Sequence, residues 1–152
     1  MRLEASDDGL AALSWTDLLL PTSPVRGTSA EIDRARGFLR QGAAWLRAYF
    51  SGHLPLPLMP PLRPVGTAFH KAVWRQILAI SPGTTTTYGE IARWLSMPGA
   101  SRAVGQAVGA NPLPVLIPCH RVLAAGGKLG GYSSGLRRKR WLLAHEGLTW
   151  SS

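Results

Sequence analysis

The stretch "TTTTYGEIARWLSMPGASRAVGQAVGAN", residues 84–111, decides the fold of the larger part of the chain. A helix is expected from about Tyr88, Pro98 and Gly99 make a tight turn, and a helix of mostly small residues follows from about Ala100. A helix, a short turn containing glycine and a small-residue helix carrying Arg102 form the sequence shape of a helix-turn-helix, whose second helix usually enters a DNA groove. Two packed helices joined by a turn are also common, so the pattern alone leaves DNA binding open.

Upstream, Thr67 caps an expected helix with Phe69, Val73, Trp74, Ile77 and Leu78 on one side, stopped by Ser81, Pro82 and Gly83. Five prolines stand in "HLPLPLMPPLRPVG", residues 53–66. That density excludes a helix and leaves an extended linker or edge segment, which places a domain boundary near residue 65. Residues 1–65 then form a small N-terminal α/β domain. Its "LEASDDGLAALSW" reads as a hairpin around Asp-Asp-Gly, "PTSPVRGTS" as a loop, and a helix capped by Ser29 runs to "YFSG" with Ile32, Phe38, Leu39, Ala43, Leu46 and Phe50 at rough helical spacing. Downstream, "LPVLIP" reads as a short buried strand, "AAGGKLGGYSSG" as a glycine-rich loop and "LRRKRWLLAHEG" as a closing helix ended by Gly147. Residues 66–152 form the second domain.

Charge is divided unevenly between these parts. Residues 1–66 hold seven arginines and six acids, whereas residues 67–152 hold ten Lys and Arg against Glu90 and Glu146 alone, an excess of eight within the chain's formal +9. Such asymmetry points to an anionic partner, nucleic acid first and a membrane surface second, with a solvated basic face as the plain alternative. No apolar run approaches the 18 or so residues of a membrane span, and "MRLEASDDGL" has acids where a signal peptide needs an apolar run. A monomeric cytoplasmic protein, nucleoid-associated in a prokaryote, is the expectation.

The single cysteine, Cys119, excludes an intramolecular disulfide. A lone cysteine after an apolar run is ordinarily a small buried hydrophobe. Three features weigh against that reading here. The apolar run ends at Pro118, so Cys119 stands at the strand's mouth; His120 and Arg121 follow directly, and a neighbouring base or cation is what turns a thiol into a thiolate; and Gly126, Gly127, Gly130 and Gly131 supply a loop that approaches a ligand through its backbone. In a strand Cys119 and His120 would point to opposite faces, so cooperation requires a backbone turn after Pro118 or a bridging water. Glu146 is the carboxylate available to orient the histidine.

Taken together, "IPCHRV" preceded by "GANPLPVL" and followed by "GGYSSGLRRKRWLLAHEG", with "GTAFHKAVW" and "TTTTYGEIA" upstream, resembles the O6-alkylguanine-DNA alkyltransferases. The resemblance runs from Gly66 to Leu148 and thins toward the N-terminus. It implies a small N-terminal α/β domain joined to a winged helix-turn-helix domain. It also implies irreversible, once-only transfer of an alkyl group from O6 of guanine, or O4 of thymine, in double-stranded DNA to the motif cysteine, with the damaged base flipped out of the stack. No cofactor or metal is required, since a soft thiolate attacks an sp³ carbon in line.

Carried over by position, Cys119 is the acceptor, His120 deprotonates it through a bound water, Glu146 holds His120, and Asn111 orders the turn around the site. Arg102 is the finger that fills the gap left by the flipped base, and Ala103 and its small neighbours Gly105, Ala107, Gly109 and Ala110 let the helix approach the duplex. Tyr88 packs at the lesion, Tyr132 walls the site, the Ser133 amide reaches O6, and the carbonyls of Cys119 and Val122 accept from the exocyclic amine; Arg121 is counted with the substrate and DNA contacts. Departures from the family pattern are His70, where glutamine is common, an N-terminal domain that looks shortened by a strand, and Ser134 at a loop position that influences alkyl size. The zinc of some members is not expected. The competing readings are a lesion-binding protein that flags damage without transfer, in which the motif cysteine is replaced, and a cysteine hydrolase, for which no oxyanion hole is legible.

Overall fold

The computed structural model describes residues 1–16, 26–53 and 56–151. It divides into Met1–Val65 and Gly66–Ser152. The first five positions of the loop expected at residues 21–29, and residues 54 and 55 of the proline-rich stretch, lie outside the described residues. Within the described residues the chain is mixed, with five α-helices and two two-stranded sheets.

In the first unit β1 (Arg2–Ser6) and β2 (Gly9–Ser14) pair antiparallel around Asp7 and Asp8. Helix α1 (Ser29–Phe50) follows, and its cap is Thr28, one residue before the expected Ser29. A capping box needs an acid three residues after the cap, and only Thr28 has one: Glu31 accepts from the Thr28 amide at 2.7 Å while the Thr28 hydroxyl accepts from the Glu31 amide. The hairpin and helix bury Leu10, Leu13, Trp45, Leu46 and Tyr49, with Trp45 and Tyr49 stacked at 5.5 Å. The buried helix face thus runs through Trp45 and Tyr49 rather than Phe38 and Leu39, which stay half-buried. The end of the proline-rich stretch is an edge segment: the Leu10 amide donates to the Pro61 carbonyl and the Arg63 amide to the Leu10 carbonyl. A sheet edge is where prolines without an amide proton are tolerated.

In the second unit α2 (Ala68–Leu78) is capped by the Thr67 hydroxyl and buries Val73, Trp74 and Ile77. Full burial of such side chains is worth roughly 1.5–3 kcal/mol each. The Trp74 indole also donates to the Ala107 carbonyl at 2.8 Å, tying α2 to α4. Helix α3 (Tyr88–Trp94) starts from a second capping box, Thr87 with Glu90, and α4 (Ser101–Gly109) packs on it after a turn containing Gly99. The inner face of α4 carries Val104, Ala107 and Val108.

Two expectations are corrected here. Residues 113–118 are buried but are not a strand. Pro112, Pro114 and Pro118 have no amide proton to offer a ladder, and the segment instead folds back on itself, the Ile117 amide donating to the Leu113 carbonyl and Val115 adopting φ +76°. The small residues of α4 do not all face outward either: Ala107 is fully buried and Gly105 lies under Tyr88, because helical periodicity leaves Arg102, Ala103, Gln106, Gly109 and Ala110 on the exposed side.

Past Pro118 the chain makes a single 3₁₀ turn, Cys119–Arg121, and then β4 (Val122–Leu123), which pairs parallel with β3 (Thr86–Thr87). This short pairing joins the cysteine turn to the cap of α3. Helix α5 (Leu136–His145) closes the unit. It ends in a Schellman motif, the Gly147 amide bonding the Ala144 carbonyl and the Leu148 amide the Leu143 carbonyl, with Gly147 at φ +71°.

Candidate active site

Asn111 organises the turn that holds the cysteine. Its Oδ1 accepts from the Leu113 amide at 2.9 Å, and its Nδ2 donates both to the Ile117 carbonyl at 2.9 Å and to Cys119 Sγ at 3.0 Å. One buried amide therefore spans the reversal and aims a donor at the sulfur. Cys119 is 2% exposed. Burial pushes its thiol above the ordinary value, while the Asn111 bond, the Lys139 charge and the Tyr132 hydroxyl act to bring it down.

The 3₁₀ turn supplies what a strand would not. Successive side chains on it are about 120° apart instead of on opposite faces, so Cys119, His120 and Arg121 diverge from one turn into one buried region. His120 is fully buried, with Nε2 at 2.9 Å from Glu146 Oε1. Nε2–H donating to a carboxylate leaves the ring's lone pair on Nδ1, the arrangement of an oriented general base. Burial lowers the imidazole below its usual value, and Glu146 opposes this.

Arg121 departs from its expected place among the DNA contacts. It is 5% exposed; Nε donates to Glu146 Oε2 and Nη2 to Oε1, both at 2.8 Å, and Nη1 donates to the Ile80 carbonyl at 2.6 Å. The guanidinium is thus spent on orienting Glu146 inside the unit, out of reach of a phosphate or a base. Glu146 sits at the C-cap of α5, one residue before the positive-φ glycine that stops the helix.

Around the thiol stand two tyrosines. Tyr88 opens α3 half-buried, its phenol raised by burial and by Cys119, with the Gly131 amide facing its hydroxyl. Gly130, at φ +63°, lies so close that a Cβ there would stand 3.0 Å from the Tyr88 hydroxyl, and the loop reaches the ring because that position is glycine. Tyr132 has a buried hydroxyl next to Cys119 and a phenol pushed strongly upward by burial. Ser133 is exposed at the rim, and Arg102 and Ala103 are exposed on α4. Val122 is buried, and its carbonyl accepts from Lys139 at 2.7 Å, which leaves it one lone pair for another donor.

Sequence reasoning missed Lys139. It is fully buried, and its ammonium donates to the carbonyls of Val122, Leu129 and Gly131. Burial lowers its pKa to about 8. The signal was periodicity: Lys139, Leu142, Leu143 and Glu146 stand at i, i+3, i+4 and i+7, one face of α5. With Lys139 and Arg121 internal, the cations left exposed in this unit are Lys71, Arg75, Arg93, Arg102, Lys128, Arg137, Arg138 and Arg140. No helix among the described residues is long and apolar enough to cross a membrane.

The same residues place the chain among known proteins. Residues 68–148 match the family model described as 6-O-methylguanine DNA methyltransferase, DNA binding domain. A methylated-DNA–protein-cysteine methyltransferase of Shigella flexneri is 45% identical over 102 residues, 67% of this chain and 60% of that protein. One from Methanosarcina acetivorans is 49% identical over 110 residues, 72% of this chain and 70% of its own length. The solved structure of Mycobacterium tuberculosis OGT in complex with DNA superposes with a TM-score of 0.75 at 38% identity, covering 95% of this chain and 84% of that one.

Proposed function

This chain belongs to the 6-O-methylguanine DNA methyltransferase family, and from that premise we propose that it repairs duplex DNA by moving an alkyl group from O6 of guanine onto Cys119, once per molecule. The observation that carries the reading is the junction at Cys119. The only thiol of the chain accepts a bond from Asn111 and is followed directly by a histidine that a buried carboxylate holds at 2.9 Å.

The chemistry follows from that junction. His120 takes the thiol proton through a water, and Glu146, itself fixed by Arg121, stabilises the imidazolium. The thiolate attacks the alkyl carbon in line; the S–C bond forms, the C–O6 bond breaks, and its electron pair returns to the purine, which takes up one proton and leaves as guanine. The thioether has no route back to thiol, so the protein is consumed. Proton return from His120 restores the neutral imidazole.

The exposed face of α4 is the surface we assign to the duplex, with Arg102 as the side chain that enters the stack and Ala103, Gly109 and Ala110 keeping the approach close. Tyr88, Tyr132, the Ser133 amide and the Cys119 and Val122 carbonyls receive the flipped base. The activity belongs beside cellular DNA, in the cytoplasm, with the protein acting as a monomer and without a cofactor.

Duplex DNA carrying a labelled methyl at guanine O6 tests the reading: about one label per molecule is expected on Cys119, with none on Cys119→Ala. Label that is bound but never transferred would support the damage-flagging alternative instead, which the retained cysteine disfavours.

A further inference from the structure

The inward face of α5 serves the site: Lys139, Leu142 and Leu143 are buried, and Glu146 at the C-cap holds His120. The outward face carries Arg137, Arg140, Trp141 and Ala144, spaced i, i+3, i+4 and i+7 and all exposed, with Arg138 exposed on its flank. This placement of arginines is electrostatically unfavourable. A helix N-terminus is the positive end of the macrodipole, where acids belong, yet the first turn of α5 has no acid and its cap, Gly135, supplies no side-chain bond. The second unit holds no acid to offset them either. Glu90 is taken by Thr86 and Thr87 at the start of α3, and Glu146 is buried with Arg121 and His120. Neither the Arg137 nor the Arg140 guanidinium has a hydrogen bond or ion pair among the described residues.

A short run of backbone joins these arginines to the site. The Gly135 amide donates to the Tyr132 carbonyl at 2.9 Å, and Arg138 Nη1 donates to the Ser134 carbonyl at 2.9 Å. Tyr132 and Ser133, which are assigned to the flipped base, therefore stand one tight turn ahead of Leu136, where the helix begins.

We propose that Arg137 and Arg140 on the outward face of α5 form a second phosphate-binding surface, apart from α4, which takes the backbone of the strand whose base enters the site. The inference rests on the proposed action on duplex DNA, and the DNA-binding-domain match at residues 68–148 takes in the whole of α5. A polyanion brings from outside the counter-charge that the unit lacks, and it relieves the repulsion between these cations and the helix dipole. The guanidinium suits the role, since its planar fork meets two phosphate oxygens with two parallel donors. Anionic lipid headgroups also carry phosphate, but they give no reason for the arginines to rise from the turn that bears the base-receiving residues.

The test is fluorescence anisotropy of the full chain on an undamaged duplex, from about 50 to 200 mM NaCl. Two phosphate contacts contribute about 1.8 to the slope of log affinity against log salt. In Arg137→Gln/Arg140→Gln the slope is expected to be shallower by about that amount, so that the parent loses roughly tenfold more affinity than the variant over this range. Arg137→Lys/Arg140→Lys, which keeps the charge, is expected to restore the slope. The glutamine variant is also expected to melt above the parent, because it removes cations from a helix N-terminus. A parental slope in the glutamine variant overturns the proposal, as does a melting temperature below the parent's. A parental slope with binding to phosphatidylserine vesicles lost would assign the surface to a membrane, and the proposal falls. Methyl transfer is not read here, so failure of the parent to move label from DNA to Cys119 is a separate result that leaves the salt slope standing.

Discussion

Asn111 donates from one amide nitrogen to both the Ile117 carbonyl and Cys119 Sγ, at 2.9 and 3.0 Å. The residue that closes the backbone turn is therefore also the residue that donates to the sulfur. Structure and reactivity at this position are separable by substitution. In Asn111→Ala three buried hydrogen bonds go, with the Leu113 amide left unsatisfied, and a stability loss of about 2–4 kcal/mol is expected by denaturant titration. In Asn111→Asp the acceptor for Leu113 stays but the donor becomes a carboxylate, so the pH midpoint of Cys119 alkylation by iodoacetamide rises instead. A midpoint unmoved in Asn111→Asp would show that the sulfur does not depend on this donor.

Glu146 accepts from Arg121 twice and from His120 once. Glu146→Gln removes the anion but leaves the guanidinium buried, and breaking a buried pair from one side costs on the order of 3–5 kcal/mol. The same change frees the imidazole to turn, and methyl transfer is expected to slow by roughly 10²–10⁴-fold. Single-turnover kinetics on methylated duplex, beside a urea titration, separates the two. A slow variant whose stability matches the parent would assign Glu146 to chemistry alone.

The helices of the second unit were legible because each rests on local sequence: caps at Thr67 and Thr87 and a stop at Gly147. What escaped depends on tertiary partners. "LPVLIP" has the apolar content of a strand, and only the absent amide protons of Pro112, Pro114 and Pro118 together with Asn111 explain why it turns. Arg121 beside a cysteine reads as a cation for the thiol or for DNA until Glu146, 25 residues on, is seen to hold it. The cap of α1 is the exception, a local matter: Thr28 and Ser29 are both capping residue types, and Glu31 selects Thr28.

Acid stability follows from His120. Burial holds its folded pKa below the ordinary 6.5, so below about pH 6.5 the unfolded chain binds a proton that the folded chain refuses. Stability is complete above that pH and declines as pH falls, until the folded imidazole protonates too. Glu31 and Glu90, lowered from 4.5 by their capping threonines, act with the same sign further down; both are only partly buried, and their share is small. Urea midpoints measured from pH 7.5 to 4 should fall first near 6.5, and His120→Gln should remove that first decline. Parallel curves for the two proteins would place the titration elsewhere.

Arg102 lies exposed on α4, in the helix face that carries Ala103, Gly109 and Ala110. If it occupies the space of the flipped base, its loss penalises duplex substrates and nothing else. Arg102→Ala should transfer methyl from duplex DNA about 10–100-fold more slowly, corresponding to part of the few kcal/mol that unstacking costs. Its reaction with free O6-benzylguanine, which has no stack to leave, should match the parent. Salt distinguishes this role from plain phosphate attraction. Eight exposed cations stand in this unit, and removal of a phosphate contact lowers the slope of log affinity against log salt by about 0.9. A base-replacing finger leaves the slope nearly unchanged, so a slope reduced by that amount with unimpaired transfer at saturation would make Arg102 a phosphate contact instead.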